Sequence, residues 1–346
     1  MTRTPAATSP WAVEAHGLVK TFGDNRAVDG VDLRIRAGSV YGFLGPNGAG
    51  KTTTIRMLAT LLRPDAGTAT VFGRDVVREA QAVRRLIGVT GQYASVDEGL
   101  SATENLVLFS RLHGLSRRDA RRTSDRLLEE FGLTEAAARP LKNFSGGMRR
   151  RLDLAASLIS QPPLIFLDEP TTGLDPRTRT QMWDTIHRLV EGGSTVLLTT
   201  QYLDEADQLA DRIAVIDRGI VVAEGTATEL KVSVGTARLQ LRLTDPADEP
   251  EARRLLHAVL GVDAAHAPDG RLTAPVSAAD DAGDVLVALR TAGISLREVA
   301  VQQPSLDEVF LSLTGRPAHE DAPRSPADDD ADGAALSTPA LERLDA

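Results

Sequence analysis

The chain has 346 residues, 42% of them hydrophobic, a net charge of −9 and no cysteine. That length and apolar content support one large domain or two of ordinary size, while disulfides and thiolate metal sites are excluded and the acidic balance argues against nonspecific nucleic-acid binding. No apolar run reaches the about 18 residues a membrane span needs, and residues 1–10 carry an arginine without an apolar stretch, so a soluble chain without a secretory leader is expected.

Residues 11–35 alternate in the manner of strands, with Val13, Ala15 and Leu18 and then Val31, Leu33 and Ile35 as the apolar positions. Between them, Lys20-Thr21-Phe22-Gly23 supplies an aromatic that suits stacking on a base and equally suits flanking a turn. Residues 39–44 are a short apolar run, read as a buried strand. Gly45-Pro46-Asn47-Gly48-Ala49-Gly50-Lys51-Thr52 follows and satisfies the phosphate-loop pattern G-x-x-x-x-G-K-[ST]. Its glycines let successive N–H groups converge on an anion. Lys51 then reaches the β- and γ-phosphates, and the Thr52 hydroxyl suits magnesium. Ile55, Leu58, Ala59 and Leu62 recur at helical spacing, so the loop joins a strand to a helix N-terminus.

Past that helix, residues 67–73 read as a hairpin strand, 78–86 as a short helix, and 87–90 as a strand that ends at Gln92. From 101 to 160 the pattern is helical and amphipathic; Thr103-Glu104 opens one helix, and Leu127, Leu128 and Phe131 line another. Ser145-Gly146-Gly147, just before a further helix, is either a second anion site or a simple cap. Leu164-Ile165-Phe166-Leu167 is a buried parallel strand that delivers Asp168 and Glu169 at its C-terminal end, the edge where α/β sheets bind ligands. Asp168 suits holding magnesium or its water, and Glu169 suits polarising an attacking water. A turn over 170–176 contains Gly173-Leu174-Asp175. A helix over 177–190, a strand over 195–199 ending near Gln201, and a strand pair at 214–217 and 220–222 complete this part. Strands and helices alternate, so the fold class is α/β with a mainly parallel sheet. No N-K-x-D motif follows, which argues against a GTPase.

The ordered motifs of residues 11–230 resemble the ATP-binding subunit of ABC transporters. The resemblance implies a P-loop NTPase of the ABC ATPase type: a mainly parallel sheet core, an antiparallel β part and a helical subdomain over about 101–160. It also implies that ATP lies against Phe22, the loop from Gly45 through Thr53, the Q-loop Gln92, the signature Ser145-Gly146-Gly147 and the D-loop Asp175. Mg2+ falls to Thr52, Gln92 and Asp168, and catalysis to Lys51, Glu169 and Gln201. The signature carries Met148 where the family more often has Gln, and the switch position carries Gln201 where it normally has His. That glutamine, with Leu306-Asp307-Glu308-Val309-Phe310-Leu311, is similar to the daunorubicin-resistance type of drug-exporter ATPase. The resemblance then implies a subunit that powers export of a drug or antibiotic. Its partners are a separate transmembrane permease and a second copy facing it head to tail. Its place is the cytoplasmic face of the membrane, held peripherally, with no nucleic acid expected. The competing reading is a soluble ABC ATPase acting on DNA or the ribosome, but neither a long coiled coil nor a second ATPase domain is present.

Residues 236–315 read as a separate small α+β domain, with strands over 238–243, 271–276 and 294–301 and helices over 251–260, 281–291 and 306–313. No catalytic cluster occurs there, so a structural or docking role is expected. Residues 1–10 and 316–346 are expected to be disordered; the latter carries 8 acidic residues against 3 arginines.

Overall fold

The period-two alternation at the start folds as two strands, β1 (Trp11–Phe22) and β2 (Asn25–Arg36), paired antiparallel. The computed structural model describes residues 10–90, 96–235, 237–267, 269–276 and 279–315. Gln92, the tail 316–346 and nearly all of 1–10 lie outside the described residues. The chain continues with β3 (Val40–Leu44), α1 (Lys51–Leu58), β4 (Ala66–Val71), β5 (Arg74–Asp75), α2 (Ala80–Arg84) and β6 (Ile87–Thr90). Next come α3 (Ala102–Leu112), α4 (Arg117–Glu130), α5 (Gly146–Ser157), β7 (Leu164–Asp168), α6 (Pro176–Glu191) and β8 (Thr195–Thr200). Then follow α7 (Leu203–Leu209), β9 (Arg212–Asp217), β10 (Ile220–Gly225) and α8 (Ala227–Val234). The last segment holds β11 (Ala237–Leu243), α9 (Glu249–Leu260), β12 (Ala265–His266), β13 (Leu272–Val276), α10 (Ala279–Thr291), β14 (Leu296–Gln302) and α11 (Leu306–Thr314).

The strands form three sheets. The first, β2-β1-β4-β5, is antiparallel; the second, β10-β9-β3-β8-β7-β6, is parallel except at β10. Strands β3, β7 and β8 are buried at every position, which is why they read as mostly apolar runs, broken by Asp168 at the end of β7 and by threonines in β8. Successive side chains then serve opposite faces. Leu164 and Phe166 join a core with Tyr41, Phe43, Leu33 and Met57 beneath the antiparallel sheet and α1. Ile165 and Leu167 join a second core with Leu106, Leu127, Leu152 and Ile186 beneath α3–α6. Each fully buried Leu, Ile or Phe contributes about 1.5–3 kcal/mol, so this two-sided burial is the main force holding the sheet.

The helices begin where the sequence supplies caps. Ser101 and Glu104 form a reciprocal capping box on α3, Ser116 caps α4, and Asp175 caps α6 ahead of Pro176. The helix expected over 78–86 closes to α2, flanked on its N-terminal side by a loop in which Asp75 accepts from the N–H groups of Val77 and Arg78.

The third sheet, β12-β13-β11-β14, is antiparallel and packs on α9 and α10 through Leu239, Leu241, Leu256, Leu272 and Leu289. Helix α11 packs away from this sheet. Its Leu306, Val309 and Phe310 are buried with Leu44, Leu203, Val215 and Leu230, against α7 and α8. Among the described residues, no helix is long and apolar enough to cross a membrane.

Candidate active site

Strands β3, β8 and β7 are adjacent and parallel, so whatever follows each of them arrives at one edge. Gly45 follows β3, Glu169 follows β7 and Gln201 follows β8. The loop after β3 can be built only with glycine at its ends. A Cβ on Gly45 would lie 2.4 Å from the Ile216 carbonyl, and one on Gly50, at φ +106°, 2.4 Å from the Ala27 carbonyl. Pro46, Asn47, Gly48 and Ala49 make the turn between them, with the Ala49 N–H donating to the Pro46 carbonyl at 3.2 Å. Gly50 caps α1 with no side chain of its own, which leaves the end of the helix dipole open to an anion.

Lys51 is 4% exposed. Its ammonium donates to the carbonyls of Gly45 at 2.7 Å and Pro46 at 3.0 Å, and stands 3.7 Å from Glu169 Oε1. Burial pulls its pKa down, and the carboxylates of Glu169 and Asp168 oppose that. Thr52 donates to both oxygens of Asp168, at 3.1 and 3.0 Å. Thr53 continues the same first turn of α1, half-buried.

Thr199, on β8, ties the Asp168 carboxylate to the backbone of Glu169. Its hydroxyl donates to Asp168 Oδ1 at 2.6 Å and accepts from the Glu169 N–H at 3.1 Å. The sheet register places Asp168 beside Thr199, which makes this contact possible. Glu169 itself sits at φ +51°. For a non-glycine residue that conformation costs on the order of 1–3 kcal/mol, and surrounding contacts must hold it. One contact comes from Thr172, whose hydroxyl donates to Glu169 Oε2 at 3.3 Å. Gln201 is partly buried, and the Thr200 carbonyl before it accepts from the Gly45 N–H at 3.4 Å.

The structure thus brings together the loop, Lys51, Thr52, Asp168, Glu169 and the approach to Gln201. Ser145, Gly146, Gly147 and Asp175 form a second group. Ser145 caps α5 by accepting from the Met148 N–H at 3.3 Å. Gly147 packs so closely on Thr178 that an added Cβ would lie 2.4 Å from its methyl. Asp175 caps the same turn through the Thr178 N–H at 3.0 Å and hydroxyl at 2.7 Å, which hold its carboxyl below the usual range. Phe22 ends β1 with its side chain 49% exposed and the Lys20 ammonium 5.6 Å from its ring.

Three residues with a place here escaped sequence reasoning. Thr199 lay in an apolar strand, and only its register against β7 gives it a role. Arg150 lay in a run of three arginines that reads as a solvated charge cluster, yet its guanidinium donates to the carbonyls of Asp168 and Glu169. Glu205, on α7, is fully buried near Thr171, Thr200 and Trp183, and burial raises its pKa; these neighbours, set too loosely for good hydrogen bonds, oppose that only in part. The signal available for it was a glutamate on the apolar face of a short helix after Gln201.

Comparison with known proteins matches residues 28–172 to the ABC transporter family and residues 225–314 to the ATP-binding protein DrrA1-3-like C-terminal domain. The daunorubicin/doxorubicin resistance ATP-binding protein DrrA of Streptomyces peucetius is 58% identical over 92% of this chain and 97% of its own length. A doxorubicin resistance ATP-binding protein DrrA of Mycobacterium tuberculosis is 48% identical, covering 88% of this chain and 94% of its own. Among solved structures, an ATP-binding cassette described as a dimer in a post-hydrolysis state with ADP and Pi aligns with a TM-score of 0.57 at 26% identity, over 62% of this chain and 98% of that one. A phosphate loop set against paired carboxylates, on a fold shared with such cassettes and in a sequence this close to DrrA over nearly its whole length, makes the chain an ATP-hydrolysing member of the ABC transporter family, of the DrrA type.

Proposed function

We propose that the chain hydrolyses ATP with Mg2+ to power export of a drug or antibiotic through a separate membrane subunit. The observation that carries the chemistry is the Asp168 carboxylate, held between the Thr52 and Thr199 hydroxyls with Glu169 beside it and Lys51 3.7 Å from Glu169. The loop amides and Lys51 bind the β- and γ-phosphates, with Thr53 on the same turn and Phe22 stacking on the base. Glu169 accepts a proton from the attacking water, and Gln201 donates its amide toward the γ-phosphate. Thr52 and Asp168 are hard oxygen donors. Among the described residues no three or more His, Asp or Glu side chains are grouped so that they could hold a metal ion between them, which suits an ion that takes one carboxylate and otherwise phosphate and water oxygens. Gln92 would join Thr52 and Asp168 in holding it. When bound, the ion neutralises charge on the phosphate oxygens.

The substrate class rests on the relatives, which are named for daunorubicin and doxorubicin resistance. A second copy completes the site by setting Ser145, Gly146, Gly147 and Asp175 against the ATP of the first. The dimeric cassette among the solved relatives supports this. We read residues 11–230 as the ATPase part, with its helical subdomain over about 101–160, and 236–315 as the small C-terminal part; the chain then sits on the cytoplasmic face of the membrane. The test is co-expression with the cognate membrane subunit, reading drug efflux and membrane fractionation together. Efflux lost in Asp168→Asn while the subunit still fractionates with membranes supports the reading. A chain that never joins membranes and instead binds duplex DNA at physiological salt overturns it.

A further inference from the structure

Three carbonyls leave β7 in succession, those of Asp168, Glu169 and Pro170, just where the backbone turns into the left-handed region at Glu169. All three are held by one side chain. Arg150 Nη2 donates to the Asp168 carbonyl at 2.6 Å and the Glu169 carbonyl at 3.0 Å, and its Nε donates to Pro170 at 3.3 Å. A planar guanidinium is the side chain that can serve three neighbouring acceptors from a fixed fork, and a lysine cannot copy it. The contact crosses between parts of the molecule, since Arg150 belongs to α5, in the helical part, and the carbonyls belong to the sheet edge. Burial lowers the Arg150 pKa, and the acidic groups of Asp153, Asp168, Glu169 and Glu205 around it raise it again. The acidic groups offset burial only in part, and a guanidinium stays charged at neutral pH regardless.

Helix α5 begins at Ser145, its N-cap, five residues before Arg150. At about 1.5 Å of rise per residue this is a rigid distance of roughly 7 Å along the helix. We propose that Arg150 is a positioning residue for hydrolysis, clamping the backbone of Glu169, and that α5 thereby links the two nucleotides of the dimer. This rests on the reading in which Ser145 meets the ATP of the second copy. One end of the helix then feels one nucleotide, while the arginine five residues on sets the carboxylate that takes the proton from the water attacking the other. Helix α5 acts as a rod between two sites that share no atom.

The test uses the full chain and its steady-state ATPase, with ATP affinity by calorimetry and a melting curve for each variant. Arg150→Met keeps length and removes every donor. It should leave ATP affinity within about twofold and lower turnover by about 10–100-fold, a loss of kcat rather than of binding. Arg150→Lys should recover part of that turnover, and Arg150→Gln serves the same comparison if Arg150→Met does not fold. Turnover within about twofold of wild type in these variants overturns the clamp. So does a fall in affinity and melting temperature that tracks the fall in turnover. The link between sites is read from ATP cooperativity. The wild-type Hill coefficient should exceed 1 and drop to about 1 in Arg150→Met. A coefficient unchanged by the substitution, or already near 1 in wild type, overturns the link. Ser145→Ala separates the two readings: full turnover there removes the second copy from the site, while the clamp still stands or falls on Arg150→Met.

Discussion

The edge of the parallel sheet and the small C-terminal sheet solve the same packing problem with opposite materials. Among the described residues, the buried polar and charged side chains lie between Lys51 and Glu205, and none lies in 237–315. The core under β11–β14 is made of Leu, Val, Ile and Ala alone. Burying Lys51, Asp168 and Glu205 is unfavourable unless partners are supplied, so a fold does so only where the chemistry needs it. The small sheet carries no such cost and no such chemistry. Its charges sit outside, as in the Arg242–Glu298 and Arg271–Asp269 pairs.

The sharpest test of this contrast is Glu169→Gln, which keeps shape and removes basicity. Turnover should fall by about 10²–10⁴-fold with ATP binding intact, so that the ATP-bound dimer persists. Near-normal hydrolysis would move the base elsewhere. At the other region, Leu241→Ala removes a side chain that is 1% exposed. It should destabilise the small sheet by about 2–5 kcal/mol, leaving ATP affinity and turnover near wild type. Turnover falling in step with stability would show that both regions melt as one unit and erase the contrast.

Gln201 comes next. Gln201→Ala loses the amide donor and should lower turnover by about 10–100-fold with modest change in affinity, while Gln201→His stays active. Steady-state assays across about pH 6 to 9 should show a new ionisation only in Gln201→His. Turnover indifferent to Gln201→Ala would leave Glu169 to position the water unaided.

The smallest effect is expected at Glu205. Burial raises its pKa above the ordinary 4.5. Asp204 adds to that, and the Thr200, Thr171 and Trp183 groups oppose it. The folded chain therefore holds this proton more tightly than the unfolded one. The stabilising contribution is complete below the ordinary value and is lost as pH rises through the raised one. Glu205→Gln, which cannot ionise, should melt higher than wild type by about 2 °C near pH 8, and the gap should close on acidification. A lower melting point for Glu205→Gln at both ends of that range would mean that the carboxyl is ionised and paired.

Much of the nucleotide edge was legible because its strands are buried on both faces and its loop tolerates glycine alone at Gly45 and Gly50. The runs before Gly45 and Asp168 read as strands for the same reason that they are strands. What stayed hidden depends on register and on distant partners. Thr199 looks like any threonine until β8 is aligned with β7. Helix α8 has a weak pattern of its own, with Leu230 its fully buried residue, and gains its apolar surroundings from α11, some eighty residues later. Arg150 was concealed by its neighbours, since Arg149, one position before it, does reach outward, to Glu98 at 2.6 Å.

The seating of α11 against α7 and α8 changes what kind of attachment the small sheet has. The chain leaves the nucleotide-binding part through α8, builds β11–β14, and returns through α11 to the same surface it left. The C-terminal sheet is thus moored at two neighbouring points and is not a pendant on a single leash. A body on one leash swivels in every direction, whereas one moored twice can only rock about the line through its moorings.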